Sequence, residues 1–506
     1  MPIGTSERNL VVSRLGRSVF ACPPVQIAAL LLLLTVAAVC ESFRITAVTN
    51  GDIWWHLRTG LWILQNHAFP RSGLFSQYAD RPWVASSWGF AVLTAETYKL
   101  LGLRAFSALL MGFKIALAAV TFLLARGERG NFWSAILLSA MAQYVIVDLP
   151  PLPILFSILF FGVELLLLVR SRRCGDVRPL FWLPLLFFAW ANLHGQFLNG
   201  LLLLGLFLAA EVTEFLLHNS GVSSVPAPAH SLAKIAAIAG LSVVATLLNP
   251  YTFHVFASAF QNTYSMVLFE NFPDMQALAF RRPQHFVLLL LVMTAFLVLG
   301  RQRSRDLFKI GVMVVFVMLA FRVERDVWCV VLPAIAVIAD AFADVQPAPE
   351  ARKSGPERRW EKPVVATLVL AIFLVAIFCI PGSDALMDRA SRVFPRKACD
   401  FIRAQELPQP LFNTYSWGGF LIWYLPQYPV AIDDRLNLYG DEINDRYFKV
   451  TGGTERFETD PDFTRARTIL LERNAGMTKA LTTLPVLSAQ FRVAYQDDLA
   501  TVLVRQ

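Results

Sequence analysis

Long apolar runs, separated by short polar segments, recur along most of the chain, for example at 27–40, 201–210 and 364–380. About 20 consecutive apolar residues are needed for an α-helix to cross a bilayer. The pattern predicts an α-helical polytopic membrane protein with about eleven spans. We place them near 25–43, 104–125, 131–149, 153–170, 179–193, 197–217, 232–249, 285–300, 307–321, 327–344 and 363–381.

The orientation depends on segment 86–102, which is apolar but has Glu96, Tyr98 and Lys99 close to its end. If this segment lies flat on the outer surface as an amphipathic helix, the basic loops face the cytoplasm, as the positive-inside rule requires. These loops contain Arg126, Arg129, Arg170, Arg172, Arg173, Arg178, Arg301, Arg303, Arg305, Arg352, Lys353, Arg358, Arg359 and Lys362. The predicted N-terminus is therefore inside and the C-terminus outside.

These assignments divide the chain into three regions. Residues 1–24 form a cytoplasmic segment, and 25–381 form the membrane domain, with a first outer loop at 44–103 and a cytoplasmic linker at 345–362. Residues 382–506 form an extracytoplasmic α/β domain. In it we predict strands at 412–415, 419–425 and 430–433, a helix from Asp441, and a hairpin of 491–495 with 501–505 that turns at 496–498.

The composition agrees with a membrane protein and excludes other classes. Of the 506 residues, 56% are hydrophobic and 16% are charged, well below the roughly 25% charged residues of soluble domains. The net charge of +8 does not indicate nucleic-acid binding, because the cations lie mostly in short loops between apolar runs. Six scattered cysteines without a CxxC pair give no case for a zinc site or a disulfide framework.

Polar residues collect in the loops that we place outside. Asp52 follows the first span, where it would serve as a helix N-cap, and His56 would lie one turn further along. We predict Asp52 and His56 as the catalytic residues. An ordinary cap within an aromatic girdle is the alternative. Asn192 and His194 crowd a very short outer hairpin, and this crowding favours a polar cavity over a structural histidine.

Further charged residues lie in two later outer loops. Glu270 and Asp274 form one group, for which solvated acids are the alternative to a site. Arg322 and Arg325 form the other, and two outer arginines oppose the positive-inside rule. An anionic lipid headgroup would explain them, and a local ion-pair cluster is the alternative.

Together these residues fit group transfer from a phosphate-linked lipid. A carboxylate can accept the proton of the acceptor, and fixed cations can stabilise the departing phosphate. A divalent cation held by carboxylates could do the same, although no cofactor is certain.

The motifs that carry this chemistry resemble those of the GT-C superfamily of membrane glycosyltransferases, and bacterial members most of all. They are DIWWHL at 52–57, WANLHG at 190–195, NPY at 249–251, NTYSWGGFLIW at 413–423 and IDDR at 432–435. The resemblance implies a polyprenyl-phosphate sugar donor and inverting transfer to an extracytoplasmic glycan, lipid or protein at the bacterial inner membrane. It also implies that Asp52 is the catalytic carboxylate, and that Trp417 and Asp434 contact the acceptor or are structural.

Two departures from the family pattern leave other functions open. The first loop has a single acid where many members have two, and PPLP at 150–153 lacks an arginine that often stands there. We therefore weigh three functions: a glycosyltransferase, a lipid or solute transporter or flippase, and a non-catalytic scaffold. Two features count against transport. The sequence has no internal repeat, and the spans contain few charges beyond Lys114, Glu164, Glu211 and Glu214.

Overall fold

The computed structural model describes residues 23–44, 47–127, 131–146, 150–220, 231–345 and 361–506. Most of the predicted cytoplasmic segment 1–24 and of the linker 345–362 lies outside these ranges, as do Arg129 and four of the five basic residues of the linker. The predicted domain boundaries therefore stay predictions.

A helix occupies each predicted span. The helices up to the end of the last span are α1 (Pro23–Arg44), α2 (Asp52–Asn66), α3 (Trp88–Leu101), α4 (Arg104–Arg126), α5 (Phe132–Val145), α6 (Ile154–Cys174), α7 (Leu183–Leu193), α8 (Phe197–Asn219), α9 (Leu232–Thr246), α10 (His254–Tyr264), α11 (Met266–Asn271), α12 (Pro283–Arg301), α13 (Leu307–Arg322), α14 (Trp328–Val345) and α15 (Glu361–Cys379).

The structure does not confirm the expected number of eleven membrane spans. Within the described ranges, α1, α4, α6, α8 and α12 are long and apolar enough to cross a membrane, and α15 with the following helix would make a sixth span bent by 69°. The apolar helices α5 and α9 have 14 and 15 residues. At 1.5 Å per residue they measure roughly 21–23 Å, less than the roughly 30 Å of a hydrocarbon core.

Ion pairs join the membrane helices to one another. Arg172 of α6 binds Glu214 of α8 with an N–O distance of 2.8 Å, and it also contacts Glu211 and Asp306. Lys114 of α4 pairs with Glu41 of α1 at 2.8 Å. Most of the charged side chains within the predicted spans, which would be costly to bury alone, thus neutralise one another.

The predicted surface helix 86–102 is present as α3, and its position at a membrane surface stays a prediction. It packs closely on α2, because a Cβ atom at Gly60 would lie 1.9 Å from the carbonyl oxygen of Ala91. Only a glycine allows this approach of the two backbones. The pair α2–α3 forms the rigid part of the first loop.

The C-terminal region combines a four-stranded sheet with short helices. The strands β1 (Leu411–Asn413), β2 (Thr468–Glu472), β3 (Phe491–Gln496) and β4 (Ala500–Arg505) lie in the order β1-β2-β4-β3, with β1 and β2 parallel and the other pairs antiparallel. The helices are α16 (Ser383–Ala390), α17 (Arg396–Ala404), α18 (Gly418–Tyr424), α19 (Leu436–Thr451), α20 (Pro461–Arg465), α21 (Gly476–Thr483) and α22 (Pro485–Ser488).

The structure confirms the predicted α/β class and the hairpin, and it corrects three local predictions. The run 419–425 is helix α18, since a short apolar run does not distinguish a strand from a buried helix. Residues 430–433 form no ladder strand and make only an isolated bridge between Val430 and Ser76. Strand β2 was not predicted. The helix expected from Asp441 is present, preceded by a break at Gly440.

Two glycines, Gly51 and Gly419, bring the first loop against the C-terminal region, and Gly418 brings two parts of that region together. A Cβ added at Gly51 would lie 2.9 Å from the Ser416 carbonyl oxygen. A Cβ at Gly418 would lie 2.4 Å from the Ile432 carbonyl oxygen, and a Cβ at Gly419 would lie 2.3 Å from the Gly51 carbonyl oxygen. Backbones separated by such distances leave no room for any side chain. The beginning of α2 is therefore held directly against loop 432–435.

Candidate active site between the first loop and the C-terminal region

A cavity of about 520 Å³ lies where these backbones meet. Its walls come from the start of α2, from the hairpin after α7, from the two loops on either side of α12–α13, and from the C-terminal residues 415 and 434–437. Residues far apart in the sequence therefore share one compartment. Seven predicted site residues line it: Asp52, His56, His194, Asp274, Arg322, Arg325 and Asp434.

Two carboxyl groups meet at one side of this cavity. Asp52 is the first residue of α2, and the N-cap is Gly51, so the expected capping role of Asp52 is wrong by one position. Its backbone N–H donates to Asn50 Oδ1 at 3.0 Å, and its side chain accepts from Trp55 Nε1 at 3.3 Å. The second carboxyl is that of Asp434, which is hydrogen-bonded to Asp52.

A buried ion pair fixes the position of Asp434. Its neighbours Asp433 and Arg435 form a bidentate salt bridge. Arg435 Nε donates to Asp433 Oδ1 at 2.8 Å, and Arg435 Nη2 donates to Asp433 Oδ2 at 2.7 Å. Both side chains are fully buried, and Tyr439 donates a further hydrogen bond to Asp433 at 2.5 Å. The structural pair in this motif is thus Asp433–Arg435, and it leaves Asp434 turned toward the cavity.

Burial and neighbouring groups shift the pKa values of both acids. Burial raises the pKa of Asp52 above its ordinary value, and the hydrogen bond from Asp434 and the charge of Arg325 oppose this rise. Burial raises the pKa of Asp434 much further, and the negative charge of Asp52 adds to it. Because both pKa values are raised and the two groups are hydrogen-bonded, the pair holds a proton between Asp52 and Asp434.

Both predicted histidines of the site are neutral. His56 stacks on Trp55 with the ring centres 3.6 Å apart, and burial lowers its pKa well below the ordinary value. His194 Nδ1 lies 2.7 Å from Ser157 Oγ. Burial and the nearby Arg325 charge lower the pKa of His194 to about 3. Acid–base chemistry near neutral pH therefore falls to the carboxyl pair.

The cavity wall also carries cationic groups. Arg325 is half-buried, and its Nε has no hydrogen-bond partner among the described residues. The Arg322 guanidinium lies over the Phe269 ring at 5.2 Å. The nearby Glu324 pairs instead with Arg282 and His285. A half-buried guanidinium that forms no ion pair with a described residue can bind an anionic ligand.

Three predicted residues lie outside the cavity walls. Asn192 accepts from Trp88 Nε1 at 2.9 Å and donates to two backbone carbonyls, so it holds the hairpin together. Glu270 is exposed to solvent. Trp417 is buried and donates to the Val393 carbonyl at 3.0 Å.

Several wall residues were not predicted. Asp326 accepts a hydrogen bond from Gln196 at 2.9 Å, and Tyr415 faces the carboxyl pair. Gln196 and Asp326 lie within two positions of the predicted residues His194 and Arg325, and Tyr415 lies inside the motif at 413–423, so proximity in the sequence was the available signal. His285 is different, because it lies inside an apolar helix and only the structure brings it to Glu324.

No protein-family model matches the sequence, and no curated protein matches it. Among solved structures, the apo oligosaccharyltransferase of Archaeoglobus fulgidus matches with 11% identity and a TM-score of 0.54, over 91% of this chain and 72% of that chain. ArnT from Cupriavidus metallidurans bound to undecaprenyl phosphate matches with 15% identity and a TM-score of 0.44, over 93% and 97% of the two chains. The chain therefore shares the polytopic membrane fold of this archaeal oligosaccharyltransferase, in agreement with the fold that the resemblance of its motifs implied.

Proposed function

We propose that this protein transfers a glycosyl group from a polyprenyl-phosphate donor to an extracytoplasmic acceptor, at the outer face of the bacterial inner membrane. One observation carries the proposal: a buried carboxyl pair and an arginine whose Nε has no hydrogen-bond partner among the described residues face one cavity. A proton acceptor on one side and an anion-binding group on the other are the two elements that this transfer needs. The fold shared with an oligosaccharyltransferase supports the same class of reaction.

In the proposed reaction, Asp52 acts as the general base. It takes the proton of the acceptor group while the acceptor oxygen or nitrogen attacks the anomeric carbon of the sugar. The bond from that carbon to the phosphate oxygen breaks, and the phosphate leaves with the bonding electrons. Attack opposite to the leaving group inverts the anomeric centre, and Arg325 stabilises the negative charge that develops on the phosphate.

Asp434 has a supporting role in this reaction. Its hydrogen bond keeps the Asp52 carboxylate charged in a buried site, where desolvation alone would neutralise it. The acid that the first loop lacks is thus supplied by the C-terminal region. This finding weakens the scaffold alternative, which rested partly on the missing acid.

The donors in the cavity also fit a divalent cation, provided that the substrate completes its coordination. The described residues contain no group of three or more His, Cys, Asp or Glu side chains arranged for a metal. Magnesium is commonly held by one or two carboxylates together with substrate phosphates. Asp52 and Asp434 would hold such an ion only in place of the proton between them, and the ion would add positive charge beside the departing phosphate.

The second departure from the family pattern concerns the arginine missing from 150–153. Pro150 and Pro153 do line the cavity, so this position faces the site without contributing a charge. Arg282, Arg322 and Arg325 reach the same cavity from other loops. A guanidinium for the phosphate is therefore available without the arginine of the family pattern.

The test compares Asp52→Asn with Asp80→Asn, an exposed acid of the same loop. Loss of a general base typically lowers turnover about 10²- to 10⁴-fold. We expect this loss for Asp52→Asn, with unchanged expression and thermal stability, and no loss for Asp80→Asn. The measurement is release of polyprenyl phosphate from a polyprenyl-phosphate sugar. Full turnover by Asp52→Asn would exclude the proposed base.

A further inference from the structure

The histidine that ends helix α7 is connected to the protein interior by two hydrogen bonds in series. His194 has extended backbone angles (φ −160°, ψ 142°), and its Nδ1 lies 2.7 Å from Ser157 Oγ of α6. Ser157 Oγ in turn accepts a hydrogen bond of 2.7 Å from Trp190 Nε1. Ser157 and Trp190 are both fully buried, so solvent does not compete for these groups.

The chemistry of the three groups assigns the protons. An indole nitrogen can only donate, so Ser157 Oγ is the acceptor from Trp190. The serine hydroxyl has a single hydrogen, and no backbone carbonyl of the described residues accepts from it. That hydrogen therefore points at Nδ1 of His194. A neutral imidazole that accepts at Nδ1 carries its own hydrogen on Nε2.

The other edge of the ring faces the cavity. His194 lines the cavity, and its Nε2 makes no hydrogen bond to any described residue. The positive charge of Arg325 acts on the same ring and helps to lower its pKa to about 3. The imidazole therefore stays neutral at physiological pH and presents an N–H beside the free guanidinium.

We propose that Trp190 and Ser157 lock His194 in its Nε2–H tautomer, and that this N–H binds a phosphate oxygen next to Arg325. The second half of this inference rests on the proposed function, because it assigns the phosphate of the lipid donor as the ligand. In this arrangement His194 is a neutral hydrogen-bond donor and takes no part in proton transfer. Ser157 and Trp190 are positioning residues that act through it.

The tautomer can be measured without any substrate. Nitrogen-15 NMR of histidine-labelled protein distinguishes Nε2–H, Nδ1–H and doubly protonated rings, and a spectrum of His194→Gln identifies the signals of His194. We expect a neutral Nε2–H ring between about pH 6 and 8, and a new Nδ1–H population in Ser157→Ala. A charged ring or a pure Nδ1–H ring in the wild type would overturn the inference.

The ligand half is tested by binding of undecaprenyl phosphate, with inorganic phosphate as a competitor. His194→Ala should weaken the affinity for the lipid about tenfold, since it removes a hydrogen bond to a charged group. His194→Gln places an amide N–H near the Nε2 position and should restore most of the affinity. Competition by inorganic phosphate would identify phosphate as the bound group.

The outcomes separate this inference from the proposed function. Equal lipid affinity for the wild type and His194→Ala would overturn the ligand assignment. A wild-type protein that binds no undecaprenyl phosphate would contradict the proposed function as well. The NMR result would still decide the tautomer, since it depends on Trp190 and Ser157 alone.

Discussion

Gly419 offers a way to separate the two carboxyl groups without changing either of them. This glycine lies at the second position of α18, and an added Cβ would be 2.3 Å from the Gly51 carbonyl oxygen and 3.1 Å from Trp55 Cδ1. The first neighbour is backbone, so it cannot turn away as a flexible side chain would. Gly419→Ala must therefore push the C-terminal region away from the start of α2.

The size of the effect follows from these distances. Ordinary contacts of a Cβ atom begin at 3.4 Å, so opening the contact from 2.3 Å moves the two backbones apart by about 1 Å. A misplacement of about 1 Å can lower turnover about 100-fold. Overpacking of this kind also costs about 1–3 kcal/mol of folding free energy.

The matched control is Gly205→Ala in α8, because nothing lies within 4 Å of a Cβ at that position. This control should keep full activity and should not lose stability, since alanine favours a helix by up to about 1 kcal/mol over glycine. Release of polyprenyl phosphate and the thermal unfolding midpoint are measured for both variants. Gly419→Ala with wild-type turnover and stability would refute the proposed contact between the two regions.

Two further predictions concern loop 433–435. Asp433→Asn should destabilise the protein by about 3–5 kcal/mol, because it leaves the buried Arg435 without its charged partner; an unchanged unfolding midpoint would contradict this. Asp434→Ala should move the acidic limb of the pH–rate profile to higher pH, because it removes the hydrogen bond that lowers the pKa of Asp52. Asp434→Asn keeps a donor and should leave the limb close to its wild-type position, and equal shifts in both variants would contradict the assignment.

The sequence predicted the helices well because their signal is local. Each apolar run of the membrane region forms a helix, and the alternating residues of the last hairpin form β3 and β4. Whether a helix of 14 or 15 residues crosses a bilayer depends on its neighbours and its tilt, which no local pattern contains. A second ambiguity made residues 419–425 look like a strand, since a buried helix and a buried strand are both apolar throughout.

The candidate site was predictable in part for a different reason. Charges placed against the expected bias, such as Arg325, stand out in the sequence, and so does Asp52 directly after a span. Asp434 was predicted as a possible acceptor contact, but its pairing with Asp52 was not, since Asp434 is 382 positions further along and adjoins an acid, Asp433, that is structural. The close backbone contact that joins them depends on Gly51 and Gly419, and glycine has no side chain to reveal such a contact.

The central claim is that the cavity holds a lipid phosphate beside Arg325. Native mass spectrometry of the protein extracted from its membrane, with the bound lipid identified by fragmentation, tests it directly. The wild type and Arg456→Gln, a variant at an arginine whose side chain is 84% exposed, should retain a polyprenyl phosphate, whereas Arg325→Gln should lose it. Retention of the same lipid by Arg325→Gln, or its absence from the wild type, would contradict the account.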